Sequence, residues 1–214
     1  MDEKTTGIIL RTRLLTETSL IVHWLTPDFG RIATVAKGAR RAKSPFRGKL
    51  DLFYFAEFSF VRSRRSELHN LRELSVREMH APLRREIGWL EQAAYATELI
   101  ELTTETDTPL PEIFALFSDF LDHLPAHPPQ PQTVFAFEVK LLRELGLRPD
   151  LGSRPLTAGA RAIVQKLGDF DWPALSSLKP GALQTREVKT YLHDFLGAHL
   201  DRVPVSRNAA VESV

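Results

Sequence analysis

Thr18 to Lys37 reads TSLIVHWLTPDFGRIATVAK, and this stretch decides the fold class of the front of the chain. Two runs rich in Ile, Leu, Val and Thr, Thr18 to Thr26 and Arg31 to Lys37, flank Pro27-Asp28-Phe29-Gly30. The turn has a mechanism: Pro presets φ, Asp bonds locally, and Gly accepts a positive φ. Outward from it, Thr6 to Leu15 is a further strand, joined through a tight turn at Thr16-Glu17, and Gly38 ends the run at Lys37. Leu52 to Val61, LFYFAEFSFV, is a fourth strand, dense in aromatics with high strand preference. Arg62 to Glu67 is a polar turn, and Leu68 to Met79, with Leu71, Leu74 and Val76, is the fifth strand. Five short strands in about 75 residues cannot bury both faces as a flat sheet, whereas a closed barrel removes the edges and makes one core. A five-stranded OB-fold β-barrel over residues 1–80 is therefore predicted.

From Pro82 the apolar period lengthens to that of helices. Leu90, Ala93, Ala94, Thr97, Leu99, Ile100 and Leu102 fit one helix, which Asp107-Thr108-Pro109 stops. Pro109 to Leu124 carries Ile113, Phe114, Phe117, Phe120 and Leu121 on one face. Pro125 to Pro131 reads as a linker. Gln132 to Leu145 is the next helix, with Gly146 as its C-cap candidate. Residues 148–157 are irregular, and Ala158 to Leu167 and Thr185 to Leu200 complete an all-helical C-terminal domain over 81–207. Residues 208–214 read as a frayed tail. The class is α+β with two modules.

The 214 residues carry a formal net charge of only +1, but unevenly. Residues 1–80 hold 15 Lys and Arg against 9 Asp and Glu, and residues 81–214 hold 13 against 18. A basic front and an acidic rear suggest modules with different partners. There are no cysteines, so disulfides are excluded and the commonest structural zinc ligand is missing. With neither an apolar run long enough to span a membrane nor a secretory h-region, a cytoplasmic protein is expected.

The charge concentrates in one place. Arg31, Lys37, Arg40, Arg41, Lys43, Arg47 and Lys49 fall in nineteen residues that contain no acid. Arg62, Arg64 and Arg65 form a second group in the turn after the fourth strand. Cations on loops follow a phosphate chain and release its counterions, and no base-reading helix accompanies them, so binding without sequence preference is expected. Phe53, Tyr54, Phe55, Phe58 and Phe60 could stack bases, but strand alternation sends most of them inward. The seven histidines, His23, His69, His80, His123, His127, His193 and His199, show no zinc-ligand spacing. Gly38-Ala39-Arg40-Arg41-Ala42-Lys43-Ser44 lacks the glycine spacing of a P-loop, and no nucleophile elbow occurs. No residue nominates itself as catalytic, so neither an enzyme nor a cofactor is expected.

At the basic stretch a family resemblance enters. Glu17-Thr18-Ser19-Leu20-Ile21-Val22, Gly30-Arg31, Val35-Ala36-Lys37-Gly38-Ala39-Arg40-Arg41, Phe46-Arg47-Gly48 and Leu50-x-x-Phe53 resemble the N-terminal signature of the RecO family of bacterial recombination mediators. Phe137-Glu138-x-x-Leu141-Leu142-x-x-Leu145-Gly146 and Asp201-Arg202-x-x-Val205-Ser206-Arg207 resemble the family's central helix and closing motif. The resemblance implies an OB-fold followed by a helical domain. It also implies binding to single- and double-stranded DNA, annealing of complementary strands, and help to RecR in loading RecA onto strands coated by single-strand-binding protein, with RecF a further candidate partner. Arg31, Lys37, Arg40, Arg41, Lys43 and Arg47 carry over as phosphate contacts; Lys49 is added on charge alone. Phe137, Lys140, Leu141 and Arg143 are the implied candidates for receiving the acidic tail of single-strand-binding protein. Many members carry a four-cysteine zinc module after the central helix; Leu147 to Arg154 has none, so no zinc is expected. The competing readings are a protein–protein adaptor that never touches DNA and an enzyme acting on nucleic acid.

Overall fold

The computed structural model describes residues 2–148 and 156–212. Strands β1 (Asp2–Leu14), β2 (Leu20–Thr26), β3 (Gly30–Ala36), β4 (Phe55–Val61) and β5 (Leu68–Glu78) close into a barrel in the order β1-β2-β3-β5-β4. Closure depends on the length of β1, whose first half pairs antiparallel with β4 and whose second half pairs with β2, across a register shift between Ile9 and Arg11. The parallel β3–β5 pairing at Ala33–Leu68 to Val35–Asn70 completes the ring. Inside, Trp24 stacks on Phe58 at 4.1 Å between ring centroids and donates from Nε1 to Thr34 Oγ1 at 2.9 Å. Phe53, Phe58 and Phe60 are buried, so these aromatics fill the core, while Tyr54 and Phe55 are half-buried.

The first compact unit is Met1–Ala81 together with Thr104–Ala115, whereas the sequence reading ends the barrel domain at residue 80. The added segment is fastened to the start of β3. Arg31 donates from Nε to Thr104 Oγ1 at 2.8 Å and from Nη2 to the Thr104 carbonyl. The Asp107 and Leu110 amides donate to the carbonyls of Arg31 and Pro27. Gly30 makes this approach possible: its φ is +61°, and a Cβ there would lie 1.7 Å from the Thr108 carbonyl oxygen.

The second unit is Pro82–Thr103 with Leu116–Val214. A 3-10 turn (Ala81–Arg85) leads to α1 (Ile87–Thr103); α2 (Pro111–His123), a second 3-10 turn (Leu124–Ala126), α3 (Pro131–Glu144), α4 (Ala158–Asp169), α5 (Trp172–Leu175), α6 (Ala182–His199) and α7 (Ser206–Glu212) follow. The expected linker thus contains a turn, and its last residue, Pro131, opens α3, where a missing amide proton costs nothing. α3 is the hub, buried along most of its length. Its Glu138 lies fully buried with Tyr95 of α1 and Arg207 of α7. Arg207 donates from Nε and Nη2 to the two Glu138 oxygens at 2.7 and 3.0 Å, and the Tyr95 hydroxyl donates to Oε1 at 2.6 Å. Burial pushes the Tyr95 hydroxyl well above its ordinary pKa, reinforced by the Glu138 charge. Burial would lower Arg207, but the same carboxylate outweighs it and holds the guanidinium above its usual range.

Residues 208–212 are therefore helical rather than frayed: Ala210 and Val211 are buried, and Gln92 donates to the Ala210 carbonyl. Apolar Ala210 and Val211 share a face with Arg207, whose ion pair outweighs end fraying. The segment in which the family's zinc module would stand lies almost wholly outside the described residues. Among the described residues, no helix is long and apolar enough to cross a membrane, and no group of three or more His, Asp or Glu could hold a metal ion.

Candidate nucleic-acid interface

The connection between β3 and β4 is pinned rather than loose. Two apolar plugs, Ala39 and Phe46, belong to the barrel core. Successive turns, with amides of Arg41, Ser44, Arg47 and Lys49 donating to carbonyls three residues back, shape the run from Gly38 to Lys49. The connection is also stitched to the β1–β2 turn. The Gly38 amide donates to Ser19 Oγ at 3.2 Å, and the Arg40 amide to the Thr18 carbonyl at 3.0 Å. At its far end Phe53 and Tyr54 bond to the backbone of Ile9. Cations therefore project from a fixed backbone.

Their side chains divide into groups. Lys37, Arg41 and Lys43 are exposed and make no hydrogen bond or ion pair among the described residues. Arg40 and Arg47 are exposed and each reaches a backbone carbonyl, of Glu17 and Ala42, leaving the rest of the guanidinium to solvent. Lys49 is half-buried. Such an array, without a carboxylate between Arg31 and Lys49, presents donors to a phosphate chain and leaves base identity unread.

Two residues of the sequence-predicted set have side-chain partners within the barrel unit. Arg31 is the half-buried fastener of Thr104. Arg62 donates to Glu3 Oε1 at 3.1 Å and to Asp107 Oδ1 at 2.8 Å and lies over the Phe29 ring; Glu3 and Asp107 together raise its pKa. Arg64 and Arg65 are exposed, but their turn follows the end of β4, while the main connection precedes its start. Seven strand residues, about 20 Å, lie along β4 between the end of the connection and the start of that turn.

One cation was not singled out by sequence. Arg13 pairs with Ile21, which pairs with Val35. Val22 and Ala36 are core residues, so alternation sets exposed Arg13 and half-buried Ile21 on the outer face, in register with buried Val35, two residues short of Lys37. Its signal in sequence was local, its place between Thr12 and Leu14, because the register shift between Ile9 and Arg11 breaks the alternation of β1 as a whole.

The four residues implied for tail binding divide into a buried apolar pair and a half-buried cationic pair. Phe137 and Leu141 are buried, with Phe137 packed against Phe117 and Phe120. An α3 face that is apolar at every fourth position has gone to the core. Half-buried Lys140 donates to the Phe170 carbonyl at 2.6 Å, and Arg143 pairs with Asp169 at 2.8 Å. His123 and His127 lie 5.3 Å apart between ring centroids beside Trp172; burial, with His127 nearby, lowers the pKa of His123.

Both halves of the chain are similar to known proteins. Residues 1–80 match the family model described as recombination protein O N terminal, and residues 90–154 the one described as recombination protein O C terminal. A DNA repair protein RecO from Rhodopirellula baltica is 35% identical over 143 residues, 67% of this chain and 53% of the relative. One from Anaeromyxobacter sp. strain K is 29% identical over 233 aligned positions, 93% of this chain and 92% of the relative. One from Pelobacter propionicus is 33% identical over 149 residues, 70% and 60% respectively. The match thus spans about half the length of the first relative and nearly all of the second.

Proposed function

Given that this chain belongs to the RecO family of DNA repair and recombination proteins, we propose that its barrel unit holds DNA by the phosphate backbone without reading sequence. It anneals complementary strands and, with RecR, helps to load RecA onto single strands coated by single-strand-binding protein; RecF is a further partner. It acts without an active site and without a cofactor, in the cytoplasm at the nucleoid. The observation that carries this reading is the acid-free cationic connection, pinned open over one end of the barrel. Two strands repel each other; a fixed cationic surface screens that repulsion and raises their local concentration, so annealing needs no covalent chemistry.

The test is fluorescence annealing of complementary strands, bare and coated with single-strand-binding protein. Replacing Lys37, Arg41 and Lys43 together by Ala should slow annealing at least tenfold and flatten the salt dependence of single-strand affinity by about 2, at roughly 0.7 per phosphate. Unchanged annealing and slope would remove this connection from the function. Incubation with DNA and Mg²⁺ or Mn²⁺ should give no cleavage; cleavage would mean an enzyme.

A further inference from the structure

The tip of the β1–β2 ribbon carries two large apolar side chains in water, Leu14 at 65% exposure and Leu15 at 45%. The turn that carries them is closed by its own hydrogen bonds. The amides of Leu15 and Thr16 donate to the Ser19 carbonyl, and Thr16 Oγ1 accepts from the amides of Thr18 and Ser19. The same turn is stitched to the cationic connection through Ser19 Oγ, the Thr18 carbonyl, and the Glu17 carbonyl, which accepts from Arg40 Nη1. Register fixes the direction. Leu14 pairs with Leu20, which packs against the barrel core, so Leu14 continues the inward face of the ribbon beyond the barrel's end. Arg13, one residue earlier, faces the other way and outward. Apolar side chains and cations thus share one end of the barrel.

Resting on the reading that this end holds DNA, we infer that Leu14 and Leu15 form a base-contacting wedge for unpaired bases of a single strand. The connection's cations hold the phosphates, and the leucines take the base faces. Charge complementarity selects this occupant: a backbone drawn to Lys37, Arg40 and Arg41 brings its bases within reach of an adjoining apolar tip. Aliphatic side chains inserted between bases are an established way for proteins to engage stacked nucleotides. A wedge that separates neighbouring bases would also keep them unstacked and available to a complementary strand.

The experiment uses the full chain and a fluorescent single-stranded oligonucleotide of mixed sequence across a salt series. Leu14→Ser/Leu15→Ser should bind about tenfold more weakly with an unchanged salt slope, because an apolar base contact is lost and no phosphate contact is. Leu15→Trp supplies a gain-of-signal arm that does not depend on loss of binding. Its added fluorescence should be quenched on saturation with the oligonucleotide and not by a free polyphosphate. Wild-type protein that fails to bind DNA overturns both the functional reading and the wedge. Steep salt-dependent binding by wild type, matched by the serine variant and without quenching of the tryptophan, overturns the wedge alone.

Discussion

Two cations six residues apart, Arg31 and Lys37, look equivalent in sequence and have opposite roles in the fold. Arg31 spends its guanidinium on Thr104, inside the barrel unit, while Lys37 is exposed without a side-chain partner among the described residues. Arg31→Ala removes two charge-assisted hydrogen bonds and should destabilise the barrel unit by roughly 1–3 kcal/mol, with little change in the salt slope for DNA. Lys37→Ala should leave the melting temperature unchanged and lower that slope by about 0.7. Thermal melting and anisotropy titrations on the same two variants separate the roles; a reversed pattern would mean that Arg31 reaches the phosphates. No sequence reading could tell them apart, because the fastener's partner lies 73 positions away.

Among the elements, the strands were legible because period-2 alternation and a Pro-Asp-Phe-Gly turn are local signals, and the structure moves their ends by only a few residues. The C-terminal helix was not. α7 is short, too short to be stable alone, and exists through an ion pair between residues 69 positions apart. Removing one partner of a buried pair leaves a buried charge, so Arg207→Ala should cost about 3–5 kcal/mol and release α7 to proteolysis. Proteolysis at unchanged rates would show that α7 is held by Ala210 and Val211 instead. The triad also sets a pH window. Burial holds the folded Tyr95 hydroxyl above the ordinary tyrosine pKa of about 10, so its contribution is intact below that pH and is lost as pH rises through the raised folded value. The helical unit should therefore weaken in alkali above pH 10, and Tyr95→Phe should flatten that dependence; identical alkaline melting curves for the two proteins would contradict it.

At the scale of the molecule, the charge asymmetry read from the sequence shrinks once the fold is known. Thr104–Ala115 brings three acids and no bases to the barrel unit, lowering its balance from +6 to +3, and leaves the other unit at −2. A field of that size steers little DNA by itself, so the interaction has to be local. Locality gives the interaction a size that can be measured. If Lys37, Arg40, Arg41, Lys43 and Arg47 each neutralise one phosphate, log affinity for a single strand should fall against log salt with a slope of about −3.5, and for duplex about −4.5. Between 50 and 200 mM salt the single-strand affinity should then drop about a hundredfold. A slope near zero would leave the connection without a role in binding. A slope near −7 would require about five more phosphate contacts, bringing Arg13, Arg64 and Arg65, or cations of the helical unit, onto the strand, and the path of DNA would extend well beyond the end of the barrel.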